Sequence, residues 1–162
     1  MEDKFLCVMA GYDDNTEKQL AEIQNKLYEN GFSGNHTKDL PQHITLGTFP
    51  FDKEREIVEL VKKVANETKQ FEITFNHIGI FGGSEVLFIA PDANYSLIKL
   101  KEYFGESFGW TPHTTMLIDK VENIHKAIPI VTENFSSFQG KVQSIHLYEF
   151  WPTRHIITLP LV

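Results

Sequence analysis

The sequence predicts a single α+β domain over residues 1–162, built as two half-sized lobes of largely antiparallel sheet with helices packed against them. Three observations predict it. Apolar residues switch repeatedly between a period of two and a period near 3.6 along the whole chain. Two apolar runs are joined by Gly82-Gly83-Ser84, a hairpin signal that implies antiparallel pairing. The order helix, strand, helix, strand pair occurs over residues 14–90 and again over 92–161. A chain of 162 residues fits one domain rather than two full ones, and no Pro/Ser-rich linker or charge block marks a boundary.

The elements follow in order. Phe5 to Ala10 reads as a buried strand closed by Gly11 and the turn Asp13-Asp14. Asp14 with Glu17 forms a capping-box pattern, Leu20, Ile23 and Leu27 make a helical stripe, and Gly31 ends it. A strand from Gln42 to Phe49 comes next. Asp52 then opens a helix whose Ile57, Val58, Val61, Val64 and Ala65 keep helical spacing. The hairpin strands cover Phe71 to Phe81 and Glu85 to Ala90. A third helix, Asp92 to Phe104, closes at Gly105, and a strand spans His113 to Ile118. Asp119 with Glu122 opens a fourth helix that Pro129 should stop or kink. Two last strands, Val142 to Phe150 and His155 to Leu161, flank Trp151-Pro152-Thr153.

Composition excludes several classes. With 41% hydrophobic and 23% charged residues the chain is neither disordered nor collagen-like. Its one cysteine, Cys7, has no partner for a disulfide and reads as a small buried hydrophobe. The net charge of −7 argues against a basic face for long duplexes. Arg55 and Arg154 are the only arginines. An acidic start at Met1-Glu2-Asp3-Lys4, without a signal segment or a spanning apolar run, makes a cytoplasmic protein away from membranes the expectation. The Asn-x-Ser/Thr sequons at Asn35, Asn66, Asn94 and Asn134 then read as compositional.

Two segments carry chemistry: Pro41-Gln42-His43-Ile44-Thr45-Leu46 and Pro112-His113-Thr114-Thr115-Met116-Leu117. In a strand, residues i and i+2 share a face, so each His-x-Thr presents an imidazole beside a hydroxyl. Seven histidines and nineteen Ser/Thr supply about one such spacing by chance, so one copy alone means little. The matched positions, each after a proline and each in an apolar strand of its own half, give the pair its weight.

These motifs resemble those of the 2H phosphoesterase superfamily, which includes the bacterial 2'-5' RNA ligase-like proteins and cyclic phosphodiesterases. Gly79-Ile80-Phe81-Gly82-Gly83 leading to Val86-Leu87-Phe88-Ile89-Ala90-Pro91, and the run-in Trp110-Thr111-Pro112-His113, are similar to it as well. The resemblance implies two pseudo-symmetric lobes around a central groove, with His43 and His113 catalytic and Thr45 and Thr115 holding the substrate phosphate. Met116 stands where leucine is usual. It also implies a phosphodiesterase for 2',3'-cyclic phosphates or 2'-5' linked RNA-derived substrates. Ligation of RNA ends and a non-catalytic nucleotide- or RNA-end-binding module are the rival readings.

The chemistry is consistent with that site. Imidazoles titrate near neutrality, so one neutral and one protonated ring can act as base and acid. No cofactor or metal is expected: no His-Glu-x-x-His or Cys-x-x-Cys pattern occurs, and the glycines fit neither a Rossmann nor a P-loop pattern. The partner expected is a small nucleotide or RNA end, bound by a monomer. Tyr12 and Phe49 are candidates to stack a base, against the alternative of core or rim packing. Arg154 is a candidate phosphate contact, against a solvated surface role. His36, His77, His125, His146 and His155 read as surface or core residues.

Overall fold

The apolar alternation of the strands has two sides to satisfy, and the chain satisfies them with one bent sheet. The computed structural model describes residues 3–83 and 85–162, so Ser84 of the hairpin and the first two residues lie outside the described residues. Seven strands pair antiparallel in the order β2-β1-β6-β3-β4-β5, with β7 on β6. They are β1 (Phe5–Tyr12), β2 (His43–Pro50), β3 (Phe71–Ile80), β4 (Val86–Pro91), β5 (Thr114–Ile118), β6 (Phe138–Phe150) and β7 (Arg154–Pro160). The helices are α1 (Asp14–Glu29), α2 (Glu54–Glu67), α3 (Tyr95–Glu102) and α4 (Val121–Asn134).

The two lobes are halves of this sheet. β2-β1-β6 forms one and β5-β4-β3 the other, with β2 and β5 at the corresponding edges. They join along β6. Its start, Phe138 to Val142, pairs with β3, and its remainder pairs with β1 and β7. The repeat begins one strand earlier than the sequence suggests, as β1-α1-β2-α2-β3 and then β4-α3-β5-α4-β6.

One large core lies between sheet and helices. Leu6, Val8, Ala10, Ile44 and Leu46 meet Leu20, Leu27, Val61 and Val64 there, and Leu87, Ile89, Met116 and Leu117 meet Ile124 and Val131. A smaller cluster of Cys7, Met9 and Phe150 occupies the other face. Cys7 is buried, as expected.

Local rules account for most helix ends. Asp13, not Asp14, caps α1, accepting from the Thr16 amide at 3.1 Å. Gly31 follows α1 in the left-handed region at φ +89°, a conformation open to glycine at little cost. Asn94 caps α3, which is shorter than expected. Asp52 lies in a 3₁₀ turn, Phe51–Lys53, and provides no cap for α2. Asp119 receives hydrogen bonds from the Lys120 amide and the Asn123 side chain just ahead of α4. Pro129 does not stop α4, which runs to Asn134. Position 129 is on the exposed side of the helix, where water can satisfy the carbonyl that proline leaves unpaired. Among the described residues no helix is long and apolar enough to cross a membrane.

Candidate active site

Each motif sits at the start of its edge strand, and the two are built alike. His43 Nδ1 lies 2.7 Å from the Pro41 carbonyl and His113 Nδ1 lies 2.8 Å from the Thr111 carbonyl. A carbonyl only accepts, so each Nδ1 carries the proton and donates it. Each Nε2 is left for a substrate. One residue past each threonine the strand bulges. Leu46 is the extra residue of β2 against β1, and Met116 the extra residue of β5 against β4. Both bulge residues point into the core.

The bulges decide what faces the groove. Without one, Phe49 would share the face of His43 and Thr45. The bulge at Leu46 reverses the alternation, so Thr48 lines the cavity while Phe49 packs on the helix-side core. Phe49 is therefore not a stacking platform. In β5 the same shift brings Ile118 to the cavity beyond Thr115.

Tyr12 is also withdrawn from substrate. Its buried ring packs edge-on against Phe75, and its hydroxyl meets the Thr114 hydroxyl at 2.5 Å. Thr114 in turn donates to the His43 carbonyl at 3.0 Å. Tyr12 thus clamps one motif to the other. A second clamp runs through amides: Gln24 donates to the Met116 carbonyl at 3.0 Å and accepts from Gln42 at 2.7 Å. The Glu17 carboxylate receives the Gln42 amide at 2.9 and 3.0 Å, fixing the residue ahead of His43.

Arg154 lies on the helix side. Its Nε donates to Glu149 at 3.1 Å and its Nη2 to Glu54, so two carboxylates hold it on that side of the sheet. It is not available to a phosphate in the groove.

His43, Thr45 and Thr115 line one cavity of about 240 Å³, whose other walls include Phe5, Cys7, Leu40, Phe150 and Trp151. His36 also lines it and stacks on Trp151 at 4.2 Å. Burial lowers the pKa of His43, and the charge of a protonated His113 lowers it further. Burial lowers that of His113 too. His113 is the more open ring, held between Phe81 at 4.8 Å and Phe88 at 5.1 Å. Phe88 can lie there because residue 79 is glycine: a Cβ would sit 2.3 Å from the Phe88 ring. Burial drives the Cys7 thiol up to about 11, so it is protonated and inert at neutral pH. Among the described residues no three His, Cys, Asp or Glu side chains converge as metal ligands.

Three histidines read from the sequence as surface or core stand near the first motif: His36 in the cavity wall, and His146 and His155 on β6 and β7, joined through Thr158. For His146 the signal was the alternation of Ser144, His146 and Tyr148 against apolar Ile145 and Leu147.

Comparison with known proteins follows the same lines. The sequence profile of the 2'-5' RNA ligase superfamily matches residues 12–150. E. coli LigT crystallised with ATP superposes with a TM-score of 0.65 at 17% identity, covering 100% of this chain and 99% of that one. Its complex with 3'-AMP gives 0.62 at 15% identity, with 99% of each chain covered. TT0787 of Thermus thermophilus gives 0.63 at 15% identity, with 97% of each covered. At these identities the likeness is one of fold. Among curated protein sequences no significant match was found.

Proposed function

Because the chain belongs to the 2'-5' RNA ligase superfamily, we propose that it is a metal-independent phosphodiesterase for a 2',3'-cyclic phosphate, a 2'-5' linkage or a similar small RNA-derived ester. One observation carries this reading. Two imidazoles on matched edge strands each commit Nδ1 to a backbone carbonyl and keep Nε2 free, and His43 shares one cavity with the threonines of both motifs.

The arrangement suits an in-line displacement. The neutral imidazole takes a proton from water as oxygen attacks phosphorus. The bond from phosphorus to one ribose oxygen breaks, and the protonated imidazole delivers its proton to that oxygen. The product is a phosphomonoester. Thr45 and Thr115 donate to the non-bridging oxygens, whose negative charge grows in the transition state. We assign the more open His113 as the acid, protonated in the reactive form. His43, whose own charging a protonated His113 disfavours, is assigned as the base. Phe5, Leu40, Phe150 and Trp151 give a nucleobase an apolar wall next to the reacting phosphate.

The test is turnover of the four nucleoside 2',3'-cyclic monophosphates, with and without EDTA. Ring opening that EDTA leaves unchanged is the expected result. Activity lost to EDTA and restored by a divalent ion would replace the paired histidines with metal-activated water. Tight binding without turnover would make the protein a nucleotide- or RNA-end-binding module. Joining of RNA ends through the cyclic phosphate would mean that the reverse reaction prevails.

A further inference from the structure

The polar face of the sheet continues past His43 onto β6 and β7. Ile145 and Leu147 enter the helix-side core, so Ser144, His146 and Tyr148 face the groove. β7 adds His155 and Thr158, brought to the same face by a register shift between Leu147 and Tyr148. The Thr158 hydroxyl lies 2.7 Å from His146 Nδ1 and 2.8 Å from His155 Nε2. It has one proton, so it donates to one ring and accepts from the other.

Gly11 brings this cluster to the catalytic centre. It pairs with His43 across β1 and β2. A Cβ at position 11 would lie 2.3 Å from His146 Nε2 and 2.4 Å from Ser144 Oγ. Only a bare backbone lets that imidazole fold down there, on the strand next to His43. Arg154 is committed to carboxylates on the other face of the sheet. A phosphate beside the reacting one therefore meets hydroxyls and imidazoles on this face.

We infer that Ser144, His146, His155 and Thr158 form a second phosphate subsite. It takes the phosphate on the 5' side of the nucleoside whose cyclic phosphate reacts, which makes the substrate an RNA end rather than a free cyclic mononucleotide. This rests on the catalytic reading above.

The subsite has a pH signature. The titratable groups facing His146 are His43 on β2, His155 on β7 and Tyr148 on its own strand, while β1 presents Met9 and Gly11. Burial, then His43 and His155, hold His146 down to about 4, so its ring is neutral in the empty groove near neutral pH. An anion against it favours the charged form. Binding then takes up a proton and strengthens as pH falls.

Calorimetry with three probes tests this: a nucleoside 3'-monophosphate, the 3',5'-bisphosphate, and a dinucleotide ending in a 3'-phosphate. At pH 5.5 the second and third should bind about tenfold or more tightly than the first, with proton uptake, and the advantage should shrink at pH 8. Thr158→Val and His155→Gln, both on an exposed strand, should bring the ratio toward one. Equal binding of all three probes by the wild type, or a ratio unmoved in both variants, overturns the subsite. A bisphosphate that gains while the dinucleotide does not overturns the RNA-end assignment. Ring opening of a cyclic mononucleotide reports on the catalytic reading alone. A protein that fails that assay yet shows the phosphate advantage keeps the subsite and loses the chemistry.

Discussion

His43 and His113 occupy the same place in two copies of one motif, yet their walls differ. The first ring stands across from Gly11, in a lobe whose groove face carries further imidazoles. The second stands at an open lip between two phenylalanines. The residue between histidine and threonine differs too. It is Ile44 in the first motif, filling the core, and Thr114 in the second, 1% exposed and hydrogen-bonded across to the first lobe. The backbone repeats the carbonyl contact and the bulge, and so repeats where each imidazole sits. The walls do not repeat. They bury both imidazoles to different degrees, and burial lowers the pKa of each.

The largest effect should come from breaking either half of the pair. His43→Ala and His113→Ala should each lose about 100-fold or more in ring opening, and the double variant should be scarcely worse than the poorer single. Stability of the same proteins should shift by about 1 kcal/mol or less, because both rings are only partly buried and removing either leaves no closed cavity. Folded histidine variants with normal turnover would show that the motifs are structural. An NMR titration sharpens the point: the His113 ring should take up its proton at higher pH than His43, and the opposite order would exchange acid and base.

Next in size is the middle residue. Thr114→Val strands the buried Tyr12 hydroxyl and should cost about 1–3 kcal/mol in a denaturant titration. Adding Tyr12→Phe should recover part of that loss, since both partners are then apolar. A double variant no better than the single would place the cost elsewhere.

The pH dependence is subtler. Both motif histidines are held below the ordinary 6.5, so on the proposed mechanism the bell of kcat/KM should centre on the acid side of that value. A plateau extending to pH 8 would contradict the lowered values. Stability has a definite sign as well. A histidine with a depressed folded pKa is more readily protonated in the unfolded chain. Its contribution is complete above 6.5 and is lost as pH falls through the folded value, which for His146 is about 4. The melting temperature should drop across that window, and His146→Gln should flatten the drop. The smallest effect is expected at Arg154: Arg154→Gln should change kcat/KM by less than about twofold, because it faces away from the groove.

The sequence showed the features that depend on neighbours along the chain. His43 with Thr45, and His113 with Thr115, are legible because two-residue spacing puts them on one face. The helical stripes of α1 and α2 are legible for the analogous reason. For Phe49 the sequence leaves base stacking and core packing both open; the structure takes core packing, because a bulge at Leu46 reverses the face and a bulge leaves no fixed residue signature. His146 and His155 were overlooked because the hydroxyl that unites them comes from pairing β6 with β7, not from spacing along one strand. Tyr12 looked like a base platform at a strand end, but its partner Thr114 is 102 residues away.

The position of β6 also bears on how the protein is made. β1 lies between residues 43–50 on one side and 142–150 on the other, and β3 likewise needs residues 138–142. β3 gains its second neighbour from the first five residues of β6 and β1 from the rest, so one strand far along the chain joins the two lobes. A fragment that stops short of Phe138 would keep both histidine motifs and the Tyr12–Thr114 contact between them, while β1 and β3 would each lose a neighbour.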